Sequence, residues 1–149
     1  MKNLKIGDIA PAINSVDQNK QIITLSQFKG RKVVLYFYPK DMTPGCTAQS
    51  CNLRDNYKGL LSQGYVVLGC SVDSPERHIK FIEKYDLPFS LISDEEKKVV
   101  KDYAVWGLKK FMGKEYMGIT RTTFIIDEDG IIENIISKVD TKNHVDQIL

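Results

Sequence analysis

The chain has few cysteines, few histidines and no long apolar stretch. Of its 149 residues, three are cysteine, two are histidine and one is tryptophan. No run of about 18 apolar residues occurs, and the charged N-terminus lacks the apolar segment of a signal peptide. We therefore expect a cytoplasmic protein that does not cross a membrane.

The chain also lacks a strong charge of either sign. Its net charge is +2, with both signs dispersed along the sequence, so no basic field large enough for nucleic acid is present. Hydrophobic residues make up 42% of the 149 positions, which is enough for one core. We expect a single domain that spans residues 1–149.

The three cysteines Cys46, Cys51 and Cys70 admit three interpretations: a structural disulfide, a metal site or a reactive pair. An odd number without a secretion signal argues against a disulfide framework. A zinc site needs about four ligands. The remaining nitrogen ligands, His78 and His144, are not at paired spacing with the cysteines, and we expect both on exposed helix faces.

Strand-like and helix-like patterns alternate along the chain. Residues 32–38 and 65–72 are apolar runs typical of buried strands, and helical spacing fills the segment 44–60 between them. This unit predicts two parallel strands with a right-handed crossover. Further predicted elements are a hairpin at 13–16 and 21–25, helices from 75 and 94, a strand at 89–92, a hairpin at 122–126 and 131–136, and a helix at 141–149. Together they predict a mixed sheet with helices on its faces.

The position of Cys46 favours chemistry. A helix that begins near residues 44–46 places its sulfur beside unpaired backbone N–H groups at the positive end of the helix dipole. Both features favour the thiolate, which is the reactive form of cysteine.

The segment from Pro39 to Cys51 resembles the active-site motif of peroxiredoxins. Pro39-x-x-x-Thr43-x-x-Cys46, with Cys51 five residues on, is similar to the bacterioferritin comigratory protein or Q-type subfamily. The resemblance covers nearly the whole chain and includes Arg121. It implies a monomeric α/β protein with a thioredoxin-like fold, a central mixed sheet flanked by helices, and an N-terminal β-hairpin.

The resemblance also implies roles in a thiol peroxidase. A hydroperoxide would oxidise Cys46 to a sulfenic acid, Cys51 would resolve it as an intramolecular disulfide, and thioredoxin or a similar dithiol would reduce that disulfide. We expect Thr43, Arg121 and the backbone N–H groups of Gly45 and Cys46 to donate to the breaking O–O bond, and Pro39 to shield the sulfur. No metal, haem or flavin is needed.

The resolving step meets a geometric obstacle. Five residues along an ideal helix separate two Cα atoms by roughly 8.6 Å. Disulfides rarely form beyond about 7 Å. The helix between Cys46 and Cys51 is therefore expected to unwind when it is oxidised, whereas Cys70, in an apolar strand, is expected to be a core residue.

Two other functions remain open. A thiol–disulfide oxidoreductase would usually carry Cys-x-x-Cys, which differs from the spacing of Cys46 and Cys51, and a non-catalytic peroxide sensor would use the same oxidation of Cys46.

Gln49 and Arg54 could order Arg121 or lie on a solvated helix face. An apolar set could rim a substrate entrance, with packing under a loop the favoured interpretation: Phe111, Met112, Tyr116 and Met117.

Overall fold

The computed structural model describes residues 4–149 and has a seven-stranded mixed sheet at its centre. The strands are β1 (Asn14–Asp17), β2 (Ile22–Thr24), β3 (Lys32–Phe37), β4 (Tyr65–Ser71), β5 (Ser90–Ser93), β6 (Trp106–Phe111), β7 (Lys114–Ile119), β8 (Thr122–Ile126) and β9 (Ile132–Ile136). The sheet order is β2-β1-β5-β4-β3-β8-β9, and β6 pairs only with β7 in the described part of the chain.

Five helices accompany these strands between residues 4 and 149. They are α1 (Pro44–Asp55), α2 (Tyr57–Ser62), α3 (Pro75–Tyr85), α4 (Lys98–Asp102) and α5 (His144–Ile148), with a short 3-10 helix at Leu25–Phe28. None of the helices in this part of the chain is both long enough and apolar enough to pass through a bilayer.

The strand pairings confirm the predicted mixed sheet. Strand β4 runs parallel to both β3 and β5, as expected for strands joined through helices. The two predicted hairpins are present, because β1 pairs antiparallel with β2 and β8 pairs antiparallel with β9. Strand β8 also lies antiparallel to β3, which places the start of β8 beside the end of β3.

The sheet separates two hydrophobic cores. Alternate residues of β3 point to opposite faces, so Val33, Leu35 and Phe37 pack with Cys70 and α4 on one side. On the other side, Tyr36 and its neighbours pack with Cys46 and the apolar residues of α1, α2, α3 and α5. Cys46 and Cys70 therefore belong to different cores.

The helices predicted from 94 and over 141–149 are shorter than expected, at Lys98–Asp102 and His144–Ile148. Two further segments differ from the sequence-based expectation. The helix predicted over 44–60 is interrupted at Asn56, whose side-chain amide donates to the backbone carbonyl of Asn52 at 2.8 Å. A side chain that competes for a helix carbonyl in this way favours the helix end.

The second difference is the hairpin of β6 and β7, which was not predicted. The interpretation of its apolar side chains as packing under a loop is wrong, because Phe111 is 66% exposed and Met112 is 87% exposed. Glycines and lysines interrupt the apolar alternation in this segment, so the strand pattern is weak.

Candidate active site

The end of β3 and the start of α1 are joined by a short loop, residues 38–43, called here the active loop. Pro44 opens α1, a position where the missing N–H of proline costs nothing. Thr43 immediately precedes the helix in an extended conformation, and its carbonyl accepts the first helical bond from the Thr47 N–H at 2.9 Å. The sequence thus fixes where α1 begins, two residues before Cys46.

Cys46 lies in the first turn of α1 and its side chain is buried. Backbone N–H groups in a first helical turn have no partner within the helix, so those of Gly45 and Cys46 are available to a ligand. The position is favourable for negative charge because the positive end of the helix dipole is there.

Arg121 brings a permanent positive charge to this sulfur. It immediately precedes β8, and its Nη2 donates to Cys46 Sγ at 3.2 Å across 75 residues of sequence. The antiparallel pairing of β8 with β3 explains the meeting, since Thr122 pairs with Phe37 at the end of β3. The predicted approach of Arg121 to Cys46 is confirmed.

Gln49 holds the guanidinium in place. Its Oε1 accepts from Arg121 Nη1 at 2.7 Å, and the side chain is fully buried one turn beyond Cys46. Of the two helix residues considered from sequence, Gln49 therefore orders Arg121. Arg54 instead donates to the backbone carbonyl of Tyr85 at 2.7 Å and pairs with Asp55.

Thr43 and Pro39 both lie in the active loop and are half-buried. The Thr43 hydroxyl donates to the Lys40 carbonyl at 2.8 Å, so its proton already takes part in a hydrogen bond within the loop. This geometry revises the expected role of Thr43, because its oxygen is free to accept a hydrogen bond rather than to donate one.

The other two cysteines differ in location and burial, and all three thiols are free. Cys51 is half-buried on α1, which is an intact helix from Pro44 to Asp55. Cys70 lies in the opposite core, as predicted, and burial raises the pKa of its thiol well above the ordinary value. A neutral thiol beyond the sheet is a poor nucleophile toward Cys46.

The expectation for the two histidines is wrong, since both are buried. His78 Nδ1 lies 2.6 Å from Asp41 Oδ2, and His144 Nε2 lies 2.8 Å from Thr123 Oγ1. These partners are 37 and 21 residues away in sequence, so local pattern could not reveal them. Burial lowers the pKa of His144, because it disfavours the charged ring.

A cluster of possible metal ligands lies beneath the active loop. Ligand atoms of Asp41, Asp73 and His78 fall within 4.8 Å of one another. The protein already supplies them with hydrogen bonds, from Tyr38 to Asp41 and from Ser71 and Arg77 to Asp73. We assign no metal role to this cluster for that reason.

Comparison with known proteins agrees with the geometry. The family model described as the AhpC/TSA family matches residues 6–135. The chain is a peroxiredoxin of the AhpC/TSA family. It is 50% identical over 149 residues to peroxiredoxin Bcp of Escherichia coli K12, with 100% of this chain and 96% of that protein covered. It is 46% identical over 146 residues to peroxiredoxin Bcp of Bacillus subtilis 168, covering 98% and 93%.

Solved structures of peroxiredoxins share the fold. The Xanthomonas campestris bacterioferritin comigratory protein, described for its alkyl peroxide reduction activity, has a TM-score of 0.85 at 30% identity, covering 91% of this chain and 87% of that one. Peroxidoxin BcpB of Mycobacterium tuberculosis has a TM-score of 0.86 at 33% identity, covering 97% and 94%. The predicted thioredoxin-like fold is confirmed, and this peroxiredoxin is a thiol peroxidase that uses a peroxide and a thiol reductant.

Proposed function

We propose that this peroxiredoxin reduces hydrogen peroxide and organic hydroperoxides at Cys46, with Cys51 as the resolving cysteine and a thioredoxin-like dithiol as the reductant. The observation that carries the proposal is the donation from Arg121 Nη2 to Cys46 Sγ at 3.2 Å, at the start of a helix. The reported alkyl peroxide reduction by the related Xanthomonas campestris protein supports the inclusion of organic hydroperoxides.

In the first step, the Cys46 thiolate attacks one oxygen of the hydroperoxide. An S–O bond forms, the O–O bond breaks, and the departing alkoxide or hydroxide takes a proton from water. Negative charge moves from sulfur to the leaving oxygen, so Arg121 and the N–H groups of Gly45 and Cys46 stabilise the transition state. Thr43 accepts from the peroxide O–H, because its own proton is directed at Lys40.

Ionisation of sulfur alone gives a small part of the acceleration. A free thiol with a pKa of about 8.5 is roughly 3% thiolate at pH 7, so complete ionisation gains about thirtyfold. Enzymes commonly accelerate reactions by about a million-fold or more. The donors around the O–O bond, and the exclusion of water by Pro39, must therefore contribute most of the effect.

In the second step, the Cys51 thiolate attacks the sulfur of the Cys46 sulfenic acid. The S–S bond forms, the S–O bond breaks, and hydroxide leaves as water after it takes a proton. An intact α1 keeps the two Cα atoms roughly 8.6 Å apart, so the helix must open for this step. A dithiol then reduces the disulfide by thiol–disulfide exchange.

We further propose that the chain acts as a cytoplasmic monomer and folds as one domain. In support, residues 38–51 and Arg121 come from one chain, and the two cores share one sheet. Size-exclusion chromatography with light scattering tests the monomer, for which a mass near 17.0 kDa is expected.

Peroxide consumption coupled to thioredoxin tests the proposed function. Cys46→Ser should abolish turnover, and Cys51→Ser should permit one oxidation but no sustained turnover with thioredoxin. Cys70→Ser is the matched control and should keep turnover. Full activity of Cys46→Ser would overturn the mechanism, and a single stoichiometric oxidation of the parent would favour a sensor.

A further inference from the structure

The active loop is anchored from below through Asp41. This side chain lies in the middle of the loop, yet it is only 1% exposed. Its Oδ1 accepts from the Tyr38 hydroxyl at 2.5 Å, and its Oδ2 lies 2.6 Å from His78 Nδ1 on α3. The loop is therefore tied to a helix that forms no part of the reactive motif.

His78 connects Asp41 to the sheet through hydrogen bonds at its two ring nitrogens. The ring is fully buried, and its Nε2 lies 3.0 Å from the backbone carbonyl of Ile92 in β5. A carbonyl oxygen can only accept, so Nε2 carries a hydrogen. The short contact between Nδ1 and Asp41 then holds one further proton, whichever atom bears it. The pair consequently has no net charge, which makes its complete burial tolerable.

A second set of contacts holds the loop backbone at the same residue. The Asp41 N–H donates to Asp73 Oδ2 at 2.8 Å. Asp73 is itself fixed by the Ser71 hydroxyl at 2.7 Å and by Arg77 Nε at 3.0 Å. Both the side chain and the main chain of Asp41 are thus bound to neighbouring elements.

The residues that follow depend on this attachment. Met42 has a φ of +67°, a conformation that side chains other than glycine rarely adopt. Such a conformation persists where the surroundings over-determine it. Asp41 precedes Met42 and is anchored, and α1 begins two residues after Met42. Thr43 is therefore held immediately before the N-terminus of α1.

We propose that Asp41 and His78 are positioning residues that hold two residues of the active loop in register with Cys46: Thr43, which binds the peroxide, and Pro39, which shields the sulfur. Their hydrogen bonds in the described residues are with the loop, Asp73, α3 and β5 rather than with Cys46. The inference rests on the proposed function, since it concerns the loop that receives the peroxide.

The pair should affect peroxide attack more than the general reactivity of the thiol. Alkylation of Cys46 by iodoacetamide needs the thiolate but not Thr43 or an aligned O–O bond. A displacement of about 1 Å in a reacting geometry can lower a rate about a hundredfold. The ratio of the two rates at Cys46 therefore reports on loop position, separately from thiolate formation.

The test measures both rates at the Cys46 peptide by quenched-flow mass spectrometry in Asp41→Ala, Asp41→Asn and Asp94→Ala. Asp41→Ala should lower the peroxide rate at least about tenfold and the iodoacetamide rate less than about threefold. Asp41→Asn should restore most of the peroxide rate, because its amide can accept from Tyr38 and donate to a neutral His78.

Asp94→Ala is the matched control, since Asp94 is also a buried loop carboxylate and accepts from the Val100 N–H at 2.8 Å. If Asp41→Ala does not fold, Tyr38→Phe is the milder variant, because it removes only the hydrogen bond from the Tyr38 hydroxyl to Asp41. It should lower the peroxide rate, but not the iodoacetamide rate, by about threefold or more. Equal slowing of both reactions, or the same ratio in Asp41→Ala or Tyr38→Phe as in Asp94→Ala, overturns the proposal. Failure of the proposed function would instead appear as peroxide turnover in Cys46→Ser.

Discussion

At the scale of single residues, Arg121 is held between two partners. One is the sulfur of Cys46 and the other is the Oε1 of Gln49. The Gln49 Nε2 has no hydrogen-bond partner among the described residues, so the contact of this amide is made through Oε1, which accepts from Arg121. Gln49 should therefore act on the reaction through Arg121.

Replacement of Gln49 tests this dependence. A hydrogen bond to a charged group is worth about 1.5–3 kcal/mol, so Gln49→Met should lower the rate of Cys46 oxidation by roughly ten- to a hundredfold. Gln49→Glu retains the acceptor and should recover much of the rate. Stopped-flow measurement of oxidation by hydrogen peroxide checks both, and an unchanged rate in Gln49→Met would contradict the role.

Gly45 gives a prediction in which activity and stability change in opposite directions. A Cβ on Gly45 would lie 3.3 Å from Arg121 Nη2, close enough to displace the guanidinium by a few tenths of an ångström. Gly45→Ala should lower the peroxide rate by several-fold to about tenfold. It should also stabilise the first turn of α1 by about 0.5–1 kcal/mol. Paired kinetic and urea-unfolding measurements check this, and a variant at least as active as the parent would contradict it.

Sequence reasoning at this scale succeeded for the reactive motif and for a buried strand. Cys46 and Arg121 meet as the motif predicts, and Cys70 lies in the core as its apolar strand predicts. Asp41 and His78 were missed as partners because residue types separated by 37 positions give no local signal. The hydrogen-bond direction of Thr43 depends on the conformation of the loop, which residue types alone do not specify.

At the scale of elements, α1 carries Cys46 and Cys51 and is the segment that opens in the proposed resolving step. Asn52, next to Cys51, accepts from the Val145 N–H of α5 at 2.8 Å. Ser50 contacts the hydroxyl of Tyr36 at 2.8 Å in the core below. Opening of α1 between Cys46 and Cys51 would strain or break both contacts, so α5 should loosen with it.

Hydrogen exchange in the reduced and peroxide-oxidised protein tests this coupling. Oxidation should increase amide exchange in α1 from Cys46 to Asn52 and in α5, because both lose hydrogen bonds and packing. The hairpin of β8 and β9 serves as an internal control and should stay protected. An intact, protected α1 in a protein with a proven disulfide between Cys46 and Cys51 would contradict the account.

Elements with strong periodic patterns were predicted, and those with weak ones were not. Residue type alone predicted the buried apolar strands β3 and β4 and the turn at Asp127. Residue type did not predict the hairpin of β6 and β7, because its strands are largely exposed and interrupted by glycine. Its stability comes from cross-strand pairing, which a single-strand pattern does not show.

At the scale of the whole molecule, pH should affect stability through His144. Burial lowers the pKa of this ring, and the nearby positive charge of Arg121 adds to the effect. In the unfolded chain its pKa would be near 6.5. As pH falls below about 6.5, the unfolded state binds a proton that the folded state does not, so the free energy of unfolding decreases.

Urea unfolding at pH 7.5 and 5.5 measures this effect. The parent should lose more stability than His144→Gln over that interval, by at most about 1.4 kcal/mol per pH unit for one proton. The comparison with the variant removes contributions from other groups. Equal pH dependence in the two proteins would show that His144 does not contribute.

The most direct test of the account is the fate of the cysteines after one equivalent of hydrogen peroxide. The parent should lose two hydrogens in a disulfide between Cys46 and Cys51, whereas Cys51→Ser should carry a sulfenic acid at Cys46 that dimedone traps. Peptide mass spectrometry distinguishes the three cysteines. A sulfenic acid on Cys51 or Cys70, or a disulfide that includes Cys70, would contradict the assignment of Cys46 and Cys51.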